Sequence, residues 1–155
     1  MKLAVVQIRG IFGMNIKFKD TLKFLKLTRK NCCIVVDNNP TYLGMLVKLR
    51  DYVTWGEIDQ ETFKLLLKER GRLSGNKALT EDYLKSKIKL DYDSFSKSFF
   101  DGKVKLKDVP GLKTFFRLKP PVKGFEHGGI KKPFSMGGAL GYRKEDINDL
   151  IRRMI

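Results

Sequence analysis

The side chains best suited to catalysis are few in this sequence, and their spacing forms no recognisable active site. His127 is the only histidine, and it lies in a glycine-rich basic segment, where a solvated or RNA-contacting imidazole is favoured over a general base. Cys32 and Cys33 are adjacent, so they lack the C-x-x-C spacing of zinc and redox sites, and no histidine lies near them in sequence. We therefore predict that the protein is not an enzyme and holds no metal ion or cofactor.

Two glycine-rich segments could hold phosphate, but neither has the spacing of a nucleotide-binding loop. Gly71–Lys77 departs from the G-x-x-x-x-G-K-[ST] pattern, and it follows a helical pattern instead of a strand. Gly137–Gly141 does not match G-x-G-x-x-G. These glycines are better interpreted as helix ends and turns, where their conformational freedom is needed.

A basic stretch interleaved with aromatic residues is the strongest candidate for binding chemistry. Its cationic side chains are Lys113, Arg117, Lys119, Lys123, Lys131 and Lys132, and Glu126 is its one acid. Lysine and arginine neutralise phosphates, and aromatic rings can stack on unpaired bases. For the cations RNA binding is favoured, because the charge is so one-sided. The neighbouring rings are Phe115, Phe116, Phe125 and Phe134, for which packing in the core is favoured and stacking on bases is the alternative.

The charge of the whole chain indicates a polyanionic partner. The 155 residues carry a net charge of +15, and 42% are hydrophobic, so a folded core is expected. Residues 1–58 contain 10 Lys/Arg and 4 Asp/Glu, residues 59–102 contain 9 and 8, and residues 103–155 contain 13 and 5. We predict an αβ core at 1–58, a mostly helical insertion at 59–102, and at 103–155 a basic glycine-rich loop with a terminal helix.

The first part has the pattern β-α-β-α-β. Apolar, largely β-branched runs at 3–8, 32–36 and 53–58 predict three strands. Asp20 or Thr21 is predicted to cap the first helix. Asn39 followed by Pro40 is typical of the start of a second helix.

The later parts are predicted to be helices joined by irregular segments. The predicted helices are 59–69, one that opens at Thr80, and 145–154, each with acids near its start. Residues 115–121 are predicted to be extended and to stop at two prolines. Residues 124–141 are expected to form an irregular loop that is not a packed element, and residues 91–102 fit no element well.

The sequence contains no feature that predicts a membrane span or a signal peptide. The longest apolar runs are far shorter than the roughly 20 residues that a spanning helix needs. Met1-Lys2-Leu3 lacks the long apolar region of a signal peptide. Adjacent cysteines on a strand point to opposite faces, so Cys32 and Cys33 are expected to be reduced, and the protein is expected to be cytoplasmic.

An ordered set of segments resembles a known family. The first segments are Val6–Gly10 (VQIRG), Thr21–Leu27 (TLKFLKL), Pro40–Leu49 (PTYLGMLVKL) and Asp51–Val53 (DYV). Together they closely resemble the large-subunit ribosomal proteins called L-thirty in bacteria and L-seven in eukaryotes, over about residues 1–58. The later segments Gly111–Pro121, Phe125–Gly129 and Arg143–Met154 resemble the longer archaeal and eukaryotic form.

This resemblance implies an α+β fold: a three-stranded antiparallel sheet with two helices on one face, similar to a ferredoxin-like fold. It also implies a structural role in the large ribosomal subunit, on its large rRNA and near 5S rRNA, beside neighbouring ribosomal proteins. No catalysis, membrane or small-molecule substrate is implied. The predicted RNA-binding residues are Arg9, Lys17, Lys19, Arg29, Lys30, Lys113, Arg117, Lys119, Lys123, His127, Lys131, Lys132, Arg143, Arg152 and Arg153.

Two other functions are weighed against this one. A small-ligand regulatory module of αβ type would need a closed apolar pocket and would not need a charge of +15. An RNA-processing enzyme would need a positioned acid pair, whereas Glu81-Asp82 and Glu145-Asp146 are better interpreted as first-turn helix acids. Salt sensitivity separates the hypotheses, because binding through many phosphates weakens steeply as the salt concentration rises.

Overall fold

The apolar run near the N-terminus forms the central strand of the sheet. In the computed structural model, which describes all 155 residues, strand β1 spans Lys2–Gln7 and is buried along its whole length. It pairs antiparallel with β2 (Cys32–Asp37) on one side and with β3 (Val53–Glu57) on the other. The predicted three-stranded antiparallel core is therefore confirmed.

Two helices cover one face of this sheet, as the sequence predicts. They are α1 (Ile16–Phe24) and α2 (Pro40–Lys48), and α2 starts at the expected Asn39-Pro40 pair. Leu3 and Val5 of β1 pack into the apolar cluster beneath these helices. Since alternate side chains of a strand point to opposite faces, Ala4 and Val6 pack into a second cluster on the other side.

The start of α1 was predicted wrongly. Its cap is Asn15, whose side-chain oxygen accepts a hydrogen bond from the Lys17 N–H at 3.0 Å. Thr21 lies inside the helix, where its hydroxyl donates to the Lys17 carbonyl at 2.8 Å. The first turn of α1 is largely exposed and therefore lacks the apolar spacing from which the helix was predicted. For this reason the predicted start lies one turn too late in the sequence.

Two short strands from the last part of the chain widen the sheet to five strands. Strand β4 (Phe115–Arg117) pairs antiparallel with β2, and β5 (Gly141–Tyr142) pairs parallel with β3, which gives the order β4-β2-β1-β3-β5. The extended character of β4 was predicted, but its pairing and the existence of β5 were not. These strands attach the C-terminal part directly to the N-terminal core.

The second face of the sheet is covered by the remaining helices. These are α3 (Gln60–Arg70), α4 (Glu81–Ile88), α5 (Tyr92–Phe100) and α6 (Ile147–Met154). Their cluster draws residues from all three predicted parts of the chain. Helix α5 lies in the segment that the sequence left unassigned, and its Phe99 ring stacks on Phe63 of α3 at 4.4 Å. None of the six helices combines the length and the hydropathy that crossing a membrane requires.

The adjacent cysteines lie on opposite faces of β2. Cys32 belongs to the cluster under α1 and α2, and Cys33 belongs to the other one. Both are free thiols. Burial raises the pKa of Cys32 to about 11, and burial also raises the pKa of Cys33. Neither thiol is therefore a nucleophile near neutral pH.

The contact between β3 and the segment that leads into α6 requires a glycine. A Cβ on Gly56 would lie 1.9 Å from the Lys144 carbonyl oxygen and 3.0 Å from the Cβ of Ile147. We predict that Gly56→Ala lowers the free energy of unfolding by about 1–3 kcal/mol, because the segment must shift away from the sheet. Urea unfolding followed by circular dichroism measures this loss.

Gly44 provides the matched control, because it lies in α2 with open space around its Cα. Gly44→Ala is expected to raise stability by about 0.5–1 kcal/mol through its better helix propensity. Equal effects of the two substitutions would contradict the close packing described for Gly56.

Candidate nucleic-acid interface

The strand register gathers several chain segments at one end of the sheet. At this end β1 and β4 finish, and β2 and β3 begin: Val53 lies opposite Gln7, and Arg117 lies opposite Cys32. The Asn31 N–H donates to the Gln7 carbonyl at 2.8 Å, which holds the start of β2 beside the end of β1. We call this edge of the sheet, with the loops that leave it, the basic end.

Eight predicted RNA-binding residues lie at the basic end. They are Arg9, Lys17, Lys19, Arg29, Lys30, Arg117, Lys119 and Lys123. Arg9 is half-buried and the other seven are exposed. None of the eight forms an ion pair with a carboxylate. Their charges are therefore free for an anion from outside the chain.

Arg9 is held in place by the segment that leads into β3. Its Nη1 donates to the Asp51 carbonyl at 3.2 Å, and its guanidinium lies 5.3 Å from the centre of the Tyr52 ring. Tyr52 also packs against Phe18 of α1, with the ring centres 5.9 Å apart. Sequence reasoning missed Tyr52, although its place directly before β3 indicates the same end of the sheet as Arg9.

The glycine-rich segment 124–141 is irregular, but it is packed, and the expectation of an unpacked loop was wrong. Ala139 and Leu140 are buried. A Cβ on Gly128 would lie 2.6 Å from the Gly137 carbonyl oxygen, and one on Gly138 would lie 2.1 Å from that of Lys132. The glycines thus let two stretches of backbone lie against each other.

Three predicted residues are exposed on this segment: His127, Lys131 and Lys132. The Leu140 N–H donates to the Lys132 carbonyl at 3.2 Å, and the next residue, Gly141, pairs with Thr54 near the start of β3. Because β3 begins at the basic end, the pairing places this segment beside the eight cations.

Arg143, which was predicted to bind RNA, is buried and makes its hydrogen bonds within the chain. The residue is only 1% exposed. Its Nε donates to the Thr54 hydroxyl at 2.9 Å, and Nη1 and Nη2 donate to the two carboxylate oxygens of Glu126 at 2.7 and 3.2 Å. Nη2 also donates to the Ala139 carbonyl at 2.9 Å, and the guanidinium lies 4.6 Å from the Phe134 ring centre. Arg143 therefore clamps the glycine-rich segment to β3.

The clamp also changes the acidity of Glu126. Burial raises the pKa of its carboxyl group, but the hydrogen bond from Arg143 and the charges of Arg143 and Arg153 outweigh it and lower the pKa overall. Glu126 is therefore a carboxylate at neutral pH, and it neutralises Arg143 inside the protein.

Three further predicted residues do not belong to the group of unpaired cations at the basic end. Arg152 pairs with Asp59 at 3.2 Å, and Arg153 pairs with Asp149 at 3.2 Å and with Glu126 at 3.4 Å. Lys113 is half-buried and lies before β4, whereas Arg117 is at the other end of that strand. The charges of Arg152 and Arg153 are compensated within the chain.

The four phenylalanines of the basic stretch pack inward, which agrees with the favoured prediction that they belong to the core. Phe116 is fully buried. Phe115 and Phe125 are half-buried against the two apolar clusters, and Phe134 lies under the Arg143 guanidinium. Base stacking by these four rings is not supported.

The clamp predicts an acid-dependent loss of stability. The folded-state pKa of Glu126 lies below its ordinary value of 4.5. The contribution of this carboxylate to the free energy of unfolding is therefore fully present above pH 4.5. It is lost as the pH falls through the lower folded-state pKa. We predict that Glu126→Gln costs on the order of 1.5–3 kcal/mol at neutral pH and removes this part of the acid dependence.

Urea unfolding measured at neutral and at acidic pH tests this prediction. Glu69→Gln is the control, because Glu69 is exposed and forms no ion pair. A Glu126→Gln protein that matches the control at both pH values would show that the clamp contributes nothing to stability.

Comparisons with known proteins identify the family of the chain. The family described as "Ribosomal protein L30p/L7e" matches residues 3–53, from β1 through α2 to the start of β3. The chain is 50% identical to the large ribosomal subunit protein uL30 of Methanococcus vannielii over 155 residues, which covers 100% of both chains.

Two further relatives carry the same name. The chain is 48% identical to the protein of Methanopyrus kandleri over 149 residues, covering 96% of this chain and 100% of that one. It is 47% identical to the protein of Nanoarchaeum equitans over 152 residues, covering 98% and 97%. Since these similarities extend over all five strands and all six helices, the chain belongs to the L30p/L7e family of ribosomal proteins.

Proposed function

We propose that the protein is a structural constituent of the large ribosomal subunit and binds large-subunit rRNA through its basic end. The observation that carries the proposal is the set of eight cations without carboxylate partners at one end of one sheet. They come from four separate stretches of the sequence, and the register of the strands brings these stretches together. Membership of a ribosomal protein family supports the same conclusion.

The mechanism is phosphate neutralisation combined with shape fit. Each cation that contacts a phosphate releases condensed counterions, which is the main source of affinity. Phosphate contacts fix the orientation of the protein, and A-form RNA is recognised mostly by its shape and backbone. The αβ core holds the β1–α1 loop and the glycine-rich segment in fixed positions, with His127, Lys131 and Lys132 at the border of the contact.

The opposite end of the sheet has mixed charge. Its acids are Asp37, Glu57, Asp59, Glu145 and Asp146, but Lys2 pairs with Asp37, Arg152 pairs with Asp59, and Lys144 lies beside Glu145 and Asp146. Such a surface attracts phosphates less than the basic end does, so this end faces away from rRNA in our proposal and is available to neighbouring ribosomal proteins. Proximity to 5S rRNA belongs to the proposal as well, and it rests on the resemblance to the longer archaeal and eukaryotic form.

The small-ligand alternative is not favoured. A groove of about 340 Å³ lies beside the outer edge of β2, but its lining mixes apolar residues with Lys2, Lys26, Lys105 and Lys107. A regulatory pocket for a small molecule is typically enclosed and mainly apolar.

The proposal predicts a steep dependence of RNA binding on salt. Arg29→Ala combined with Lys30→Ala removes two free cations just before β2, and we expect the slope of log K against log salt to fall by about 2. Affinity falls as well. Filter binding to deproteinised large-subunit rRNA, from about 50 to about 200 mM salt, measures both quantities.

Lys87→Ala combined with Lys97→Ala is the matched control. Both lysines are exposed, lie on α4 and α5, and form no ion pair. The control is expected to keep the wild-type slope. An equal loss of slope and affinity in the control, or wild-type binding that does not depend on the salt concentration, would argue against the basic end as the RNA contact.

A further inference from the structure

The loop between β1 and α1 presents an aromatic ring to solvent at the basic end. Phe12 is 99% exposed, and Ile11 and Ile16 beside it are 36% and 72% exposed. Leaving a phenylalanine in water forgoes roughly 1.5–3 kcal/mol of burial energy. The other mostly exposed phenylalanine, Phe24, lies on α1 next to Asp20, outside this loop. The position of Phe12 therefore calls for a partner outside the chain.

The backbone of the loop holds Phe12 outward. The Met14 N–H donates to the Ile11 carbonyl at 3.4 Å and closes a turn with Phe12 at its tip, and Gly13 takes φ +69°. Directly after the turn, Met14 is buried in the cluster under α1 and α2, and Asn15 caps α1. Phe12 cannot reach the core unless this anchor is released, so the ring is already in position for a ligand.

The charges around the ring indicate the chemistry of that ligand. Between Ile8 and Lys19 the sequence has three cations, Arg9, Lys17 and Lys19, and no carboxylate. None of the three cations forms an ion pair with a carboxylate. A flat apolar face on a stretch of chain that carries only positive charge matches a nucleotide whose base is unpaired: the phosphates contact the cations and the base covers the ring.

We propose that Phe12 is a stacking platform for one unpaired base of the rRNA bound at the basic end. This inference rests on the proposed function. It adds a contact that phosphate neutralisation lacks, because only a base outside a continuous helical stack exposes its face. The β1–α1 loop therefore selects a bulge, loop or strand end in the RNA, whereas the surrounding cations accept any phosphate.

Phe12→Ala removes the ring and leaves every charge in place. Loss of one base–aromatic stack costs about 1–3 kcal/mol, so affinity for deproteinised large-subunit rRNA should fall about 5- to 150-fold. The salt slope should stay at the wild-type value. Affinity for a fully paired RNA duplex should not change, and Phe24→Ala, the matched control, should bind both RNAs as the wild type does.

Phe12→Trp gives a direct readout of stacking. The variant should keep near wild-type affinity, and its tryptophan emission should be quenched when the rRNA binds. The only natural tryptophan, Trp55, is 7% exposed, so the wild-type protein serves as the blank.

The outcomes separate this inference from the function on which it rests. Wild-type affinity in Phe12→Ala with a normal salt slope overturns the stacking site and leaves the proposed function standing. An equal loss of affinity for the duplex and for the rRNA in Phe12→Ala also overturns it. The stacking site is overturned as well if Phe12→Ala keeps its affinity for rRNA but is no longer incorporated into the large subunit, since that would indicate a protein partner for the ring. Wild-type protein that binds rRNA without any salt slope overturns both proposals.

Discussion

The central strand of the sheet must be covered on both faces, and the rest of the architecture follows from that constraint. All six residues of β1 are buried, so apolar layers are needed above and below it. Helices α1 and α2 provide one layer, and the helices from the later part of the chain provide the other. With both faces occupied, the two ends of the sheet are left to present charge, and the strand register brings unpaired cations to one of them and a mixture of acids and cations to the other.

Concentrating unpaired cations at one end of a small protein costs stability through mutual repulsion. The fold offsets this cost with contacts that hold the basic segments to the sheet. The clearest is the buried ion pair of Arg143 and Glu126, in which all three guanidinium nitrogens donate hydrogen bonds. Such dense hydrogen bonding is what makes a buried charge tolerable. One cation thus serves the protein itself, while its exposed neighbours remain free for phosphate.

Short-range patterns in the sequence were sufficient for much of the fold. The three central strands, α2 with its Asn39-Pro40 start, and α3, which was predicted over 59–69 and spans Gln60–Arg70, follow from local propensity and period. The free cations before β2 and in the β1–α1 loop could also be predicted, because their charge excess is visible without the fold.

Long-range pairing accounts for what the sequence did not predict. Strand β5 has two residues and exists only because β3 lies beside it. Arg143 finds its partners Glu126 and Thr54 at distances of 17 and 89 positions along the chain, so no local signal separates it from a surface cation. Similarly, the glycines of 124–141 indicate flexibility when considered alone, whereas in the fold they permit close packing.

The central claim is that this chain is held in the large ribosomal subunit by charge at its basic end. Sedimentation of a cell lysate through sucrose gradients, in moderate and in high salt, tests it most directly. We expect the protein to sediment with the large subunit in moderate salt and to be released in high salt. Migration as a free small protein at both salt concentrations would contradict it.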